Sequence, residues 1–154
     1  MKGNRQVVRR SRWGRNRVSV GLHVIWTTVQ RRPLVTSELE RAIYRSISGE
    51  AEKLGCHVLA INGMPDHVHV VLYLSVTTSI SNLMKQMKGA SSSLARSLAG
   101  PDQFFQWADG YAVFSLSRAH RHNAIQYVER QKEHHMERTT RAAWEQSTED
   151  DLPT

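Results

Sequence analysis

The stretch CHVLAINGMPDHVHVVLYL, residues 56–74, predicts a β-hairpin in the middle of the chain. Residues 56–62 and 67–74 are short apolar runs rich in valine, leucine and isoleucine, as is typical of strands. The four residues between them, 63–66, read Gly-Met-Pro-Asp and favour a reversal of the chain. We therefore expect the two runs to pair with each other.

The segments on either side of this hairpin alternate between strand and helix patterns. Alternating apolar residues predict strands, and apolar residues at three- and four-residue intervals predict amphipathic helices. Strands are predicted at 17–28 and 111–117, and helices at 37–55, 80–98 and about 123–138. The order β-α-β-β-α-β-α is a split βαβ unit with one added helix. We predict an α+β fold, ferredoxin-like or RRM-like, with an antiparallel sheet, two helices on one face and an additional C-terminal helix.

The length of 154 residues suits one domain and leaves no room for a second. The first 17 residues hold seven basic side chains and no acidic one, whereas the C-terminal end is acidic. We predict a basic arm at 1–17, one folded domain at 18–140 and a tail at 141–154. Neither a signal peptide nor a membrane span is recognisable, so we expect a cytoplasmic protein without a membrane partner.

The charge balance points to nucleic acid. The chain contains 21 Lys and Arg against 14 Asp and Glu, a net charge of +7, and the basic side is rich in arginine, which suits phosphate recognition. A nucleoid-associated location fits this balance. The candidate DNA-contacting residues are Arg9, Arg10, Arg12, Arg15, Arg17, Lys85 and Lys88. The alternative is that the arm is a solvated tail or an expression remnant, and that these charges only keep the protein soluble.

His67 and His69 begin the second strand of the hairpin. Residues i and i+2 of a strand point to the same face about 6.6–7 Å apart, so these imidazoles can converge on one ion while Val68, Val70 and Leu72 face the core. Such a pair also arises by chance in a chain with eight histidines, and two surface or core histidines are the alternative interpretation.

The last helix provides the context for this pair. Tyr127 and Gln131 stand at i and i+4, and hence on one helix face. The glutamine offers a neutral oxygen as a third metal ligand, and the phenol can attack a phosphorus atom that the ion polarises. In the alternative interpretation, Tyr127 is half-buried packing and Gln131 is solvated.

Four motifs in this order resemble the HUH single-strand endonucleases, and within them the single-tyrosine transposases of the insertion-sequence-200/605 type. MPDHVHVVL is similar to the family's histidine-hydrophobe-histidine strand, and LMKQMKGASSSLAR to its Lys-Gly-Ser helix. FFQWADGYAVFSLS resembles its Trp-x-x-Gly-Tyr strand entry, and YVERQKEHH its tyrosine helix. The resemblance spans residues 18 to about 140. The arginine-rich arm also fits the REP-associated tyrosine transposase branch, which acts on dispersed palindromes.

The resemblance implies roles for four residues. His67, His69 and Gln131 are implied to bind Mg²⁺ or Mn²⁺, and Tyr127 is implied to be the nucleophile on the C-terminal helix. Cleavage at or near a single-stranded DNA hairpin would then pass through a covalent 5′-phosphotyrosine link, and rejoining would need no nucleotide. A homodimer is also implied, with active sites completed by the tyrosine helix of the partner subunit.

Two departures from the family and two rival functions stay open. The basic arm lies outside the family core, and residues 118–121 replace an expected glycine-bearing connection, which leaves the tyrosine helix free to act in cis or in trans. One rival is a hairpin-binding protein without catalysis, such as a domesticated repressor. The other is a zinc-dependent hydrolase in which a further histidine joins the pair.

Overall fold

The computed structural model describes residues 17–137 and Glu145. The proposed arm and tail thus fall almost entirely outside the described residues, as do Arg9, Arg10, Arg12 and Arg15, and the domain limits stay predictions. The strands are β1 (Gly21–Thr27), β2 (His57–Met64), β3 (His67–Tyr73) and β4 (Ala112–Leu116). The helices are α1 (Ser37–Lys53), α2 (Ile80–Ala99), α3 (Arg118–Glu129) and α4 (Gln131–Glu137). None of these helices is both long and apolar enough to cross a membrane.

The four strands form one antiparallel sheet in the order β2-β3-β1-β4. This order confirms the predicted α+β split βαβ architecture. The β2–β3 ladder extends to the pair Met64 and His67, so the turn is shorter than the four residues predicted. Gly63 permits this extension, because a Cβ there would lie 2.2 Å from the His67 carbonyl oxygen.

The main core lies between the sheet and the helices α1 and α2. Because side chains alternate along a strand, every second residue of β1 and β3 faces these helices. The apolar residues that meet there are Leu22, Val24, Trp26, Val68, Val70 and Leu72 from the sheet, Leu39, Ile43, Ile47 and Ala51 from α1, and Leu83, Met84, Met87 and Ala95 from α2. Each fully buried leucine or isoleucine contributes about 2 kcal/mol. The two predicted helices therefore do cover one face.

The opposite face of the sheet is covered by the C-terminal helix segment. Ala124 and Val128 of α3 pack against Ala60 and Val71 in a second, smaller apolar cluster. The residues of β1 and β3 that do not enter the main core point into this layer, which places His67 and His69 under α3. The sheet thus separates a core that stabilises the fold from a face that presents polar side chains.

The C-terminal helix differs from its predicted extent in two ways. It starts at Arg118 rather than near residue 123, and it is interrupted at Arg130, where φ is −102° and ψ is 21°. The early start is stabilised by Arg121, which lies 4.8 Å above the Tyr73 ring and donates to the Ser19 carbonyl oxygen. The residues at 118–121 are therefore the first turn of α3 and not a linker.

Candidate active site

The histidine pair is buried on the face of the sheet that α3 covers. His67 and His69 are 2% and 0% exposed, and their ring centroids lie 5.1 Å apart. Val68, between them, belongs to the main core on the other face. The alternation predicted for this strand is therefore correct, and both imidazoles are available to one ligand.

The C-terminal helices bring the two other predicted residues to this pair. Gln131, at the start of α4, is fully buried, and its Oε1 lies 3.3 Å from His67 Nε2. The Tyr127 ring centroid lies 6.2 Å from that of His69. Although the helix is interrupted between Tyr127 and Gln131, both side chains still face the sheet. All four residues come from a single chain, so this arrangement requires no helix from a partner.

A carboxylate orients the His67 ring through its Nδ1 atom. Asp66 Oδ1 lies 2.7 Å from His67 Nδ1, and Arg31 lies 3.5 Å from the other carboxylate oxygen. With the Nδ1–H donating to Asp66, Nε2 is the His67 nitrogen that faces Gln131 Oε1. Arg31 and the preceding Gln30 adopt positive φ values of 51° and 52°, an uncommon conformation for residues with a Cβ. This strained turn brings the guanidinium to Asp66.

The imidazoles of the site differ in their pKa. Burial by itself lowers the pKa of His67, but hydrogen bonds and charge from Asp66 and Glu145 outweigh burial and raise it to about 9. Burial lowers the pKa of His69, and burial together with the nearby His69 lowers that of His23 to about 3. His67 therefore favours the protonated form in the metal-free site, whereas His69 and His23 favour the neutral form.

Glu145 joins the site although nothing in the sequence indicated it. Its Oε2 lies 3.1 Å from His69 Nε2 and 3.2 Å from His67 Nε2. Its Oε1 accepts from the Tyr127 hydroxyl at 2.5 Å and from Gln131 Nε2 at 3.0 Å. Burial raises the pKa of Glu145, but hydrogen bonds from the histidines hold it well below its usual range. The carboxylate is therefore ionised and contacts every predicted active-site side chain.

These donors are suitable for a divalent cation. One nitrogen from each of His67 and His69 and one oxygen of Glu145 lie within 4.8 Å of one another, close enough to share one ion. Gln131 Oε1 adds a neutral oxygen next to His67 Nε2. Two imidazoles with oxygen donors and open positions are compatible with Mg²⁺, Mn²⁺ or Zn²⁺.

Two further histidines flank the site on α4. The His134 ring stacks on Tyr127 with centroids 4.6 Å apart, and His135 Nε2 lies 3.1 Å from Gln131 Oε1. Both lie one turn beyond Gln131 in sequence, a position from which we predict a structural or DNA-contacting role. They support the tyrosine and the glutamine, respectively.

The predicted DNA-contacting residues are found in different environments. Arg17 and Lys85 are exposed. Lys88 is half-buried, and its ammonium donates to the carbonyl oxygens of Ala108 and Gly110 at 2.7 and 2.9 Å. Burial lowers the pKa of Lys88. In this conformation Lys88 stabilises the loop before β4, and a phosphate contact would require it to release these carbonyls.

Comparison with known proteins supports the resemblance. Residues 16–131 match the family model described as Transposase IS200 like. The ISDra2 transposase TnpA of Deinococcus radiodurans is 26% identical over 117 residues, covering 71% of this chain and 81% of that protein. A crystal structure of a D. radiodurans R1 protein described as a transposase has a TM-score of 0.60 and 27% identity, covering 75% of this chain and 93% of that one.

A second solved structure supports the fold alone. The REP-associated tyrosine transposase bound to a REP hairpin has a TM-score of 0.59 at 14% identity, and the match covers 92% of this chain and 84% of that chain. The family match extends over the hairpin with the histidine pair and reaches Gln131. This chain belongs to the IS200-like transposase family.

Proposed function

We propose that this protein is a divalent-metal-dependent endonuclease and strand transferase that cleaves single-stranded DNA at or near hairpins through a 5′-phosphotyrosine link to Tyr127. The observation that supports this best is the meeting of Tyr127, two imidazoles and one amide oxygen within a single buried cluster. A purely structural role for these polar groups would leave such a convergence without a reason, since burying polar groups costs free energy.

We assign the metal site to His67, His69 and Gln131. Both imidazoles are neutral when they bind a metal, and the amide is neutral as well, so these ligands leave the positive charge of the ion nearly uncompensated. A bound ion supplies charge that polarises the phosphate and stabilises the transition state. We propose Mg²⁺ or Mn²⁺ because amide oxygen, water and phosphate suit these hard cations.

Tyr127 would act as the nucleophile. Its phenolic oxygen attacks the phosphorus, the bond from phosphorus to the 3′ oxygen breaks, and the 5′ phosphate becomes linked to the tyrosine. The phenolic proton is balanced by the proton gained by the leaving 3′ oxygen, so no further reactant is consumed. Attack by another 3′ hydroxyl reverses the step and joins two DNA ends.

Glu145 determines when Tyr127 is accessible. Tyr127 is only 4% exposed, and the Glu145 carboxylate contacts its hydroxyl and both histidines. A phosphate next to Tyr127 and the metal site would be negatively charged like this carboxylate and would occupy the same place, so DNA and Glu145 compete for one position. Withdrawal of Glu145 would therefore precede cleavage.

Several observations support single-stranded hairpin DNA as the substrate. The net charge is +7, and the similarly folded REP-associated transposase was solved with a hairpin. Of the candidate DNA-contacting residues, Arg17 and Lys85 are described and exposed, and we propose that they and the arginines Arg9, Arg10, Arg12 and Arg15 contact the DNA backbone. We propose a homodimer as well, in which each chain carries its own tyrosine next to its own histidines.

The test is a covalent adduct. Labelled single-stranded hairpin DNA is incubated with the protein and Mn²⁺, and the products are separated under denaturing conditions. We expect a protein-linked band that Tyr127→Phe abolishes. Tyr111→Phe is the matched control, because it removes the same hydroxyl from an exposed residue of the loop before β4.

Each other outcome identifies a different function. Hairpin binding by the wild-type protein without any adduct would support the non-catalytic alternative, a hairpin-binding protein or repressor. A free 5′ phosphate with Zn²⁺, unchanged in Tyr127→Phe, would support the hydrolase. An adduct that persists in Tyr127→Phe would refute the assignment of the nucleophile.

A further inference from the structure

The central strand carries a third buried histidine that no motif includes. His23 lies in the middle of β1 and is fully buried. The β1–β3 register pairs Ile25 with His69, so His23 is the diagonal neighbour of His69 on the same face of the sheet. Its Nε2 lies 2.9 Å from His69 Nδ1, and the two ring centroids are 5.1 Å apart.

This contact defines which nitrogen of His69 can bind a metal. An N–H···N bond between two imidazoles needs one protonated and one unprotonated nitrogen. His69 Nε2 faces the cluster, where it lies 3.1 Å from Glu145 Oε2, so Nε2 is the atom available to a metal. While Nε2 donates to the Glu145 carboxylate, a neutral His69 has no proton on Nδ1. When a metal takes the place of the carboxylate at Nε2, the proton of the neutral ring is on Nδ1 and can be donated to His23 Nε2.

We propose that His23 is a positioning residue that accepts the Nδ1–H of His69 when a metal is bound, and thereby holds the His69 ring and its Nε2 lone pair toward the metal site. The inference rests on the proposed metal-dependent function. It assigns His23 a role through His69, with no contact of its own to the ion or the DNA.

The two metal-binding histidines thus have different supports. His67 is held by the carboxylate of Asp66, the common arrangement for a metal ligand, whereas His69 is held by a neutral ring. A carboxylate in the place of His23 would bury a second negative charge behind the site. The imidazole accepts the same hydrogen bond without that charge, and it leaves the site more positive toward an anionic phosphate.

The experiment measures Mn²⁺ affinity without DNA. In His23→Leu a side chain of similar size replaces the acceptor, and we expect Mn²⁺ to bind about 10- to 100-fold more weakly, the usual effect of losing such a support. In His23→Gln the Oε1 stands close to the position of the imidazole Nε2, and we expect the affinity to return to within about threefold of the wild type. His57→Leu, which removes an exposed histidine from β2, is the control and should leave the affinity unchanged.

The outcomes separate this inference from the proposed function. If His67→Ala leaves Mn²⁺ binding unchanged, the metal site itself is wrong. If His67→Ala abolishes binding while His23→Leu binds like the wild type, only the role of His23 is wrong. Equal weakening in His23→Leu and His23→Gln would reduce His23 to a packing residue.

A measurement on the wild-type protein keeps the inference testable if the variants do not fold. Nitrogen NMR of the Mg²⁺-loaded protein reports which nitrogen of His69 carries its proton. We expect the proton on Nδ1, coupled across the hydrogen bond to His23. A proton on His69 Nε2, or rotation of His69 away from His23, would overturn the inference.

Discussion

Replacing Glu145 by alanine should speed formation of the Tyr127 adduct. The Glu145 carboxylate makes four contacts of 2.5–3.2 Å with Tyr127, Gln131, His69 and His67. A phosphate that enters the site must replace all of them. We call the state in which Glu145 makes these contacts the closed arrangement. The expected increase in rate is therefore set by the net free energy that stabilises the closed arrangement.

That stability can be estimated from the contacts. A hydrogen bond to a charged group contributes about 1.5 kcal/mol at the low end, or about 6 kcal/mol for four. Ordering the backbone and side chain of Glu145, together with some ordering of its neighbours, costs about 3–4 kcal/mol. The remaining stability, about 2 kcal/mol, corresponds to roughly a 30-fold preference for the closed arrangement.

The assay is the initial rate of adduct formation at a DNA concentration well below saturation and a fixed Mn²⁺ concentration. We expect Glu145→Ala to be about 10- to 30-fold faster than the wild type. Glu133→Ala is the matched control, because it removes an exposed carboxylate of α4 that pairs only with Arg130 in its described contacts. A slower rate in Glu145→Ala, together with weaker Mn²⁺ binding, would refute the reasoning and make Glu145 a metal ligand.

Two further predictions concern protonation and packing. Because Asp66 and Glu145 raise the pKa of His67 from 6.5 to about 9, its imidazolium stabilises the metal-free fold fully below about pH 6.5, and this contribution is lost as the pH rises through 9. We therefore expect the free energy of unfolding, measured in EDTA, to fall between pH 6 and pH 10 in the wild type by up to about 3 kcal/mol more than in His67→Gln. If denaturant titrations gave the same change with pH for both proteins, this prediction would be wrong. Ile47→Ala should lower the free energy of unfolding by about 2–4 kcal/mol, because Ile47 is fully buried in α1. Leu98→Ala, at an exposed position of α2, should change it by no more than about 0.5 kcal/mol. If the two variants shifted the urea midpoint equally, the assignment of Ile47 to the core would be wrong.

The sequence alone was sufficient for the order of the strands and helices and for the face on which the histidine pair stands. Both follow from local periodicity: a period of two places His67 and His69 opposite Val68, and a period of 3.6 defines the apolar faces of α1 and α2. Such patterns depend on neighbouring residues, and the fold confirms them. Helical spacing likewise predicted that Tyr127 and Gln131 lie on one face of the last helix.

Periodicity did not predict where the last helix begins or where it is interrupted. The residues at 118–121 contain no apolar repeat, and their helical turn depends on Arg121 contacting Tyr73 and Ser19, which lie about 50 and 100 positions earlier in the chain. The interruption at Arg130 could not be predicted either, because no glycine or proline stands there. Tertiary contacts decided the early start of the helix.

Only the tertiary structure brought the site together. Glu145 reaches the histidines across more than 70 residues, and His23 reaches His69 across 46, so neither has a local signal. The shared position of Tyr127 and the histidines within one chain depends on how α3 packs on Ala60 and Val71. Local patterns specify which face a side chain occupies, whereas the partner on that face is determined by how distant segments pack against the sheet.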